Sequence, residues 1–222
     1  MSKALSAAKA AEMVPDGASL LIGGFMGVGS PHRIIEQLVR QGRKSLTVIA
    51  NDTARPGIGI GQLIDAKAVR RLIVTHIGTN PETQRQMIAG ELEVELVPQG
   101  TLAERIRAHG HGLGGVLTPT GVGTAVAEGK QAVEVDGRTF LLERPVGADF
   151  ALVGCRRADY GGNLDYSLTA RNFNPIMAMA GKLTVVQTQH VAADPGIDPE
   201  IVVTPGIFVD RVVHIPYGDP QG

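Results

Sequence analysis

The sequence predicts an α/β fold: an open, mostly parallel sheet with helices on both faces, followed by a strand-rich C-terminal part. Three observations carry this expectation. Apolar runs alternate with helix-like segments through the first half, those runs are nearly free of polar residues, and the second half is dominated by short strand-like runs around a hairpin signal. Such alternation is the pattern of βαβ units, and strands without polar interruption are strands of a parallel sheet covered on both faces.

Ser19–Ile22 reads as the first strand, a glycine-rich turn follows, and a helix runs over 31–40. Pro31 suits the first helical turn, where its missing N–H has no partner to lose, and Ile34, Ile35, Leu38 and Val39 form one apolar stripe. The unit repeats as strand Leu46–Ile49, a polar loop and a helix over 63–69, then strand 72–74 with helix 81–89, then strand 92–97 with helix 101–109. A long glycine-bearing loop follows, of the kind that is usually functional or interfacial. Asp136-Gly137 between strands 133–135 and 138–142 is a hairpin turn signal. Runs 150–153 and 183–186 read as buried strands, residues 208–209 and 212–213 as a last one, and 172–180 as a short helix.

The chain has 222 residues, a formal net charge of −1, one cysteine and no tryptophan. That length suits one domain over residues 1–222, at about 100–200 residues per domain, and suffices to bury a continuous core. Lys and Arg are dispersed, and Arg70-Arg71 and Arg156-Arg157 are too short for a phosphate track, so no nucleic-acid partner is expected. With Cys155 alone, no internal disulfide forms. The opening residues lack the apolar stretch of a secretory signal, and no apolar run nears the ~18 residues of a membrane span. A cytoplasmic protein without membrane contact is the expectation.

The most informative stretch, residues 16–31, reads Asp-Gly-Ala-Ser-Leu-Leu-Ile-Gly-Gly-Phe-Met-Gly-Val-Gly-Ser-Pro. Strand, glycine turn and helix start suit an anion, because glycines allow close backbone approach and free N–H groups at a helix start favour negative charge. The same arrangement also serves as a packing turn, and the spacing leaves both open. The dinucleotide motif needs Gly-x-Gly-x-x-Gly, whereas 24–29 runs Gly-x-x-Gly-x-Gly. The P-loop needs four residues between Gly and Gly-Lys-Ser/Thr, whereas 123–131 has five and continues Lys-Gln. Neither NAD nor ATP is supported.

This stretch matches, at every defined position, the α-subunit signature of family I CoA-transferases: Asp-Gly, three apolar residues, Gly-Gly-Phe and Gly-x-Pro. Four further blocks resemble that family in the same order. They are 97–107 (Val-Pro-Gln-Gly-Thr-Leu-Ala-Glu-Arg-Ile-Arg), 118–124 (Thr-Pro-Thr-Gly-Val-Gly-Thr), Gly162-Asn163-Leu164 with 170–175 (Ala-Arg-Asn-Phe-Asn-Pro), and 204–209 (Thr-Pro-Gly-Ile-Phe-Val). Residues 50–54 (Ala-Asn-Asp-Thr-Ala) and 76–83 (His-Ile-Gly-Thr-Asn-Pro-Glu-Thr) are most similar to the acetate/acetoacetate branch. The 3-oxoadipate and succinyl branches are the alternative.

The resemblance implies an α subunit of a short-chain acyl-CoA:carboxylate CoA-transferase, assembled with a homologous β subunit. CoA would be a co-substrate, with no permanently bound cofactor. It further implies ping-pong chemistry through a glutamyl-CoA thioester, the Glu standing in a Ser-Glu-Asn-Gly block of the β subunit. No such block occurs here, so no catalytic residue is assigned to this chain. Gly23, Gly24, Phe25, Met26, Gly27, Val28 and Gly29 are assigned by the resemblance to CoA contact. Asn51 and Gln99 are the candidate substrate-binding residues. Each follows the carboxyl end of a predicted strand, where open α/β sheets place ligands, and a neutral amide holds a carboxylate without competing as a nucleophile. Ordinary loop hydrogen bonding is the competing reading for both.

Glu36, Glu104, Glu91, Glu93 and Glu95 read as solvated faces or ion pairs. His109 and His111 lack accompanying carboxylates or cysteines, so no metal is expected. Cys155 reads as a small buried hydrophobe. Arg171 suits an anion, or a structural pair with Asp149 or Asp165. The alternative of another class is a sugar-phosphate sensor or an isomerase of related fold. A sensor would carry a basic helix-turn-helix and an isomerase its own carboxylates beside the glycine loop; neither is evident.

Overall fold

A computed structural model describes residues 3–193 and 195–216. Along the first half, strand and helix alternate: β1 (Ala4–Leu5), α1 (Ala7–Glu12), β2 (Ser19–Ile22), α2 (His32–Arg40), β3 (Leu46–Ile49), α3 (Gly61–Asp65), β4 (Val69–Val74), α4 (Pro81–Ile88), β5 (Glu93–Leu96) and α5 (Gln99–Gly110). The second half adds β6 (Val116–Thr118), β7 (Ala132–Val135), β8 (Arg138–Glu143), β9 (Ala148–Cys155), β10 (Arg157–Asp159), β11 (Leu164–Asp165), α6 (Asn174–Ala178), β12 (Gly181–Thr188), β13 (Val191–Ala192) and β14 (Arg211–His214).

Eight strands form one sheet in the order β1-β14-β12-β9-β2-β3-β4-β5, and every neighbouring pair is parallel. Two three-stranded sheets, β6-β8-β7 and β11-β10-β13, sit beside it. The α/β expectation therefore holds. Side chains alternate across the large sheet with the period of two that a strand imposes. Leu20 and Ile22 pack with Ile34, Ile35, Leu38, Leu63 and Ile64, whereas Leu21 packs with Leu102, Ile106, Val153 and Met177. Helices α1 to α3 thus cover one face, and α5 and α6 the other.

Several boundaries differ from expectation. The helix expected over 63–69 is α3, which lies earlier and ends at Asp65; Lys67 takes a positive φ of 51° and Val69 already belongs to β4. Pro31 caps α2 rather than opening it. The loop after α5 contains β6, and residues 206–208 are a 3-10 turn rather than part of a strand. The hairpin forms as expected, with Asp136 and Gly137 both at positive φ (50° and 71°), the requirement of a two-residue turn matched to sheet twist.

From β2 the chain winds outward through β3 and β4 to β5, then returns to β9 and winds the other way. The order therefore reverses between β2 and β9. Loops at the carboxyl ends of those strands part there, and such a point is where open α/β sheets hold ligands.

Candidate functional site

The glycine loop leaves β2 at this reversal point. Phe25 and Val28 exchange both backbone hydrogen bonds, at 3.0 and 2.9 Å, around Met26 and Gly27, whose φ values are 52° and 87°. This is a two-residue hairpin with both central residues left-handed, a conformation that costs a non-glycine residue like Met26 something to hold. Its compensation is Asp52, whose two carboxylate oxygens receive the Met26 N–H at 3.1 and 3.0 Å.

Most of the backbone donors of this loop are spent within the protein, which leaves few for an anion. The N–H groups of Gly23, Gly24, Phe25, Met26 and Val28 already donate to Leu152 O, Asn172 Oδ1, Val28 O, Asp52 and Phe25 O. The start of α2 is satisfied too: Gln187 Oε1, on β12, accepts from the N–H groups of Arg33 (2.9 Å) and Ile34 (3.2 Å). Two of the glycines are explained by internal packing. A Cβ on Gly23 would sit 1.7 Å from Asn174 Oδ1, and one on Gly29 would sit 2.5 Å from Ala170 O. Asn174 is fully buried and stitches the loop to β9, accepting from Gly154 N at 3.0 Å and donating to Gly29 O at 3.0 Å. What the loop presents outward is Phe25 and Val28, each about half exposed.

Asn51 and Gln99 are brought together. Gln99 is the first residue of α5 rather than a loop residue, and its Nε2 donates to Asn51 Oδ1 at 2.6 Å. Asn51 is buried. Its Nδ2 donates to Asp52 Oδ2 at 2.8 Å, and its carbonyl and Oδ1 accept from Thr75 Oγ1 at 2.8 and 3.3 Å. The loops after β3 and β4 continue the strand pairing, through Thr75 N to Asn51 O and a bridge between Asp52 and His76. These groups line one open cleft of 420 Å³ with Phe25, Met26, Thr75, His76 and Thr79. A second cavity, of 300 Å³, lies on the Gly29 side of the loop, at the carboxyl ends of β9 and β12.

The first cleft holds one carboxylate, Asp52, and it is occupied. Besides Met26 N and Asn51 Nδ2 it accepts from Ala54 N at 2.7 Å. With donors on both oxygens and only 4% exposure, it is a structural anchor rather than a group free to attack a substrate.

The glutamates weighed from sequence are ion-paired away from the cleft: Glu36 with Arg33, Glu104 with Arg107, Glu91 with Arg85 and Lys67, Glu93 with Arg71, and Glu95 with Arg71 and Arg105. Burial alone would raise the Glu95 carboxyl; the Arg105 and Arg71 guanidiniums outweigh it and hold the group below its usual range. His109 packs its ring where a Gly147 side chain would be, while His111 bonds the Arg107 carbonyl at 2.9 Å. Among the described residues no cluster of three metal-ligating side chains exists. Cys155 is part-buried, its thiol pushed up to about 12 by burial. Of the two alternatives for Arg171, the structural pair is not formed: Asp149 is taken by Ser19 and Lys182, and Asp165 by Arg156 and Arg157. No described helix is long and apolar enough to cross a membrane.

Sequence reading missed Asp52, Thr75, His76 and Thr79. The rule that selected Asn51 would have reached Asp52 and His76, which stand within three residues of the ends of β3 and β4.

The profile of the coenzyme A transferase family matches residues 4–214. The chain is 54% identical, over 89% of its length and 90% of the relative's, to the alpha subunit of an acetate CoA-transferase of Escherichia coli K12. It is 46% identical, over 90% and 92%, to the alpha subunit of an acetoacetyl-CoA:acetate/butyrate CoA transferase of Clostridium acetobutylicum. In fold it is similar to an acyl-CoA transferase of E. coli O157:H7 crystallised as a thioester complex with CoA, at a TM-score of 0.86 and 21% identity. That likeness covers 99% of this chain and 48% of the other, so the chain spans about half of that solved protein.

Proposed function

The chain belongs to the coenzyme A transferase family, and from that premise we propose that it is the α subunit of a short-chain acyl-CoA:carboxylate CoA-transferase of the acetate/acetoacetate type. The sensor and isomerase alternatives lapse with the family assignment. The observation that carries the proposal is the make-up of the cleft: it offers amides, hydroxyls and an imidazole, while the only carboxylate lining it among the described residues is spent on internal hydrogen bonds. That make-up supports a site completed by a nucleophile from another polypeptide.

Moving CoA between acids without losing the thioester to water requires a covalent carrier. A glutamate carboxylate of the β subunit would attack the acyl-CoA carbonyl, expelling CoA thiolate and leaving a mixed anhydride. The thiolate then attacks the glutamyl carbonyl of that anhydride, releasing the first acid and forming the glutamyl-CoA thioester. A second carboxylate reverses both steps. Each tetrahedral intermediate needs donors aimed at the developing oxyanion, and the anhydride must be kept from water. In this scheme Gln99, oriented by Asn51, meets the carboxylate of the acid or the anhydride oxygen. Phe25, Met26 and Val28 are the side chains the glycine loop has to offer CoA or the β subunit. The protein would work in the cytoplasm as an αβ hetero-oligomer, as one domain with CoA as co-substrate and no resident cofactor.

The acetate-type reading is preferred over a dicarboxylate-handling one because no Lys or Arg lines the cleft among the described residues. The test is reconstitution. The purified chain mixed with the β-type subunit should exchange CoA between acetyl-CoA and acetoacetate; activity of this chain alone, or none from the mixture, contradicts it.

A further inference from the structure

The cleft contains six polar side chains: Asn51, Asp52, Thr75, His76, Thr79 and Gln99. Each has a fixed number of donors and acceptors, so those left for a ligand can be worked out. Asp52 is occupied by three donor groups. Asn51 is buried among Asp52, Thr75 and Gln99. Thr75 donates to Asn51, and Thr79 donates to Ala54 O at 3.0 Å. Gln99 spends one amide proton on Asn51 and keeps its other proton and its carbonyl. The His76 ring makes no hydrogen bond or ion pair among the described residues. Apart from the buried Asn51, two groups therefore keep a donor for a ligand, Gln99 and His76, and the His76 ring is the one with no partner among the described residues.

Its placement is built in. The Asp52–His76 bridge extends the β3–β4 ladder and fixes the His76 backbone at the cleft. The ring lies over Gly78, where an added Cβ would come within 2.7 Å of Cε1. Any side chain at 78 would push the ring off its seat, although the backbone there is not left-handed and an alanine is conformationally allowed.

We propose that His76 is a specificity-determining residue: its ring N–H donates to a second, neutral oxygen of the bound acid, such as the 3-oxo group of a short 3-oxoacid, while Gln99 holds the carboxylate. A neutral oxygen is favoured over a second carboxylate because the buried Asp52 repels negative charge in the cleft and, among the described residues, no cationic Lys or Arg lines it to offset that repulsion. This inference rests on the cleft being the acid site of the proposed transferase.

The test uses the chain assembled with its β-type partner and compares kcat/KM for acetoacetate with that for acetate. In His76→Ala the acetoacetate-to-acetate ratio falls about three- to tenfold, the worth of one neutral hydrogen bond. Gly78→Ala, which displaces the ring without removing it, lowers the ratio in the same direction, and His76→Asn, which keeps a donor, restores part of it. An unchanged ratio in His76→Ala and Gly78→Ala overturns the inference. Gln99→Ala separates the two levels: if it depresses both acids while the His76 variants leave the ratio alone, only the inference fails. If Gln99→Ala affects neither acid, the reading of the cleft fails with it.

Discussion

The carboxylate of Asp52 grips the backbone N–H of Met26 with both oxygens, at 3.1 and 3.0 Å, and so ties the tip of the glycine loop to the loop that carries Asn51. One side chain thereby sets two walls of the cleft. It holds Met26 in a left-handed conformation on one side, and on the other it fixes which end of the Asn51 amide faces Gln99.

Asp52→Asn keeps the shape but puts an amide donor where an acceptor is needed. The expected loss is about 1–3 kcal/mol, the cost of leaving a buried hydrogen-bonding group unsatisfied. A fall in thermal midpoint of roughly 2–4 °C per kcal/mol would register it in a chain of this size. Hydrogen exchange should show the Met26 amide losing protection ahead of the β2 amides. Unchanged protection at Met26 would mean that the carboxylate does not hold the loop.

Gly23→Ala is expected to be harsher than a surface glycine change. Its Cβ would fall 1.7 Å from Asn174 Oδ1, inside a fully buried side chain that also holds Gly154 and Gly29. Displacing Asn174 breaks those bonds together, so destabilisation of about 2–4 kcal/mol is expected from overpacking and lost buried hydrogen bonds. Gly90→Ala is the comparison: nothing lies within 4 Å of its added Cβ, and only its φ of 69° resists the change. Equal losses in urea unfolding of the two variants would contradict the packing explanation.

Acid stability should depend on Asp149. The Ser19 hydroxyl, then the Ser19 N–H, then Lys182 lower its carboxyl from the ordinary 3.8 to about 2. A depressed folded-state value means that the stabilisation is present above 3.8 and is lost as the pH falls toward about 2. The side chain is 42% exposed, so solvent screening limits the contribution to less than about 1 kcal/mol. Asp149→Asn should therefore be slightly less stable than the parent at pH 7 and converge with it at the acid end. A constant gap across the range would show that the carboxylate charge is not responsible.

Cys155 should be inert in the folded protein. With its thiol pushed up to about 12, mainly by burial and secondarily by the Asp165 charge against a Thr188 hydrogen bond, almost no thiolate exists at pH 8. Iodoacetamide is expected to label the chain only after denaturation. Rapid labelling of the native protein would contradict this.

The central sheet was legible because β2, β3, β9 and β12 are apolar on both sides, and that pattern needs no partner to be recognised. The end of α3 was not, since nothing local marks Lys67 as left-handed while Val69 continues the apolar run. In the site, Asn51 and Gln99 were visible as polar residues just past strand ends, but their mutual bond was not. How few free donors the glycine loop keeps was hidden for a related reason. Among the groups that take its N–H donors and the start of α2 are Asp52, Asn172 and Gln187, the last two about 150 residues distant in sequence. Local pattern reveals where backbone donors cluster; only the assembled sheet reveals that five of those between Gly23 and Gly29 are already taken.

The most direct measurement is intact-mass analysis after acyl-CoA is added, first to this chain alone and then to the chain assembled with a β-type partner. The division of the site between two polypeptides predicts that this chain keeps its own mass in both samples, while the partner gains a CoA thioester on a glutamate. A CoA adduct on any side chain of this polypeptide would contradict it.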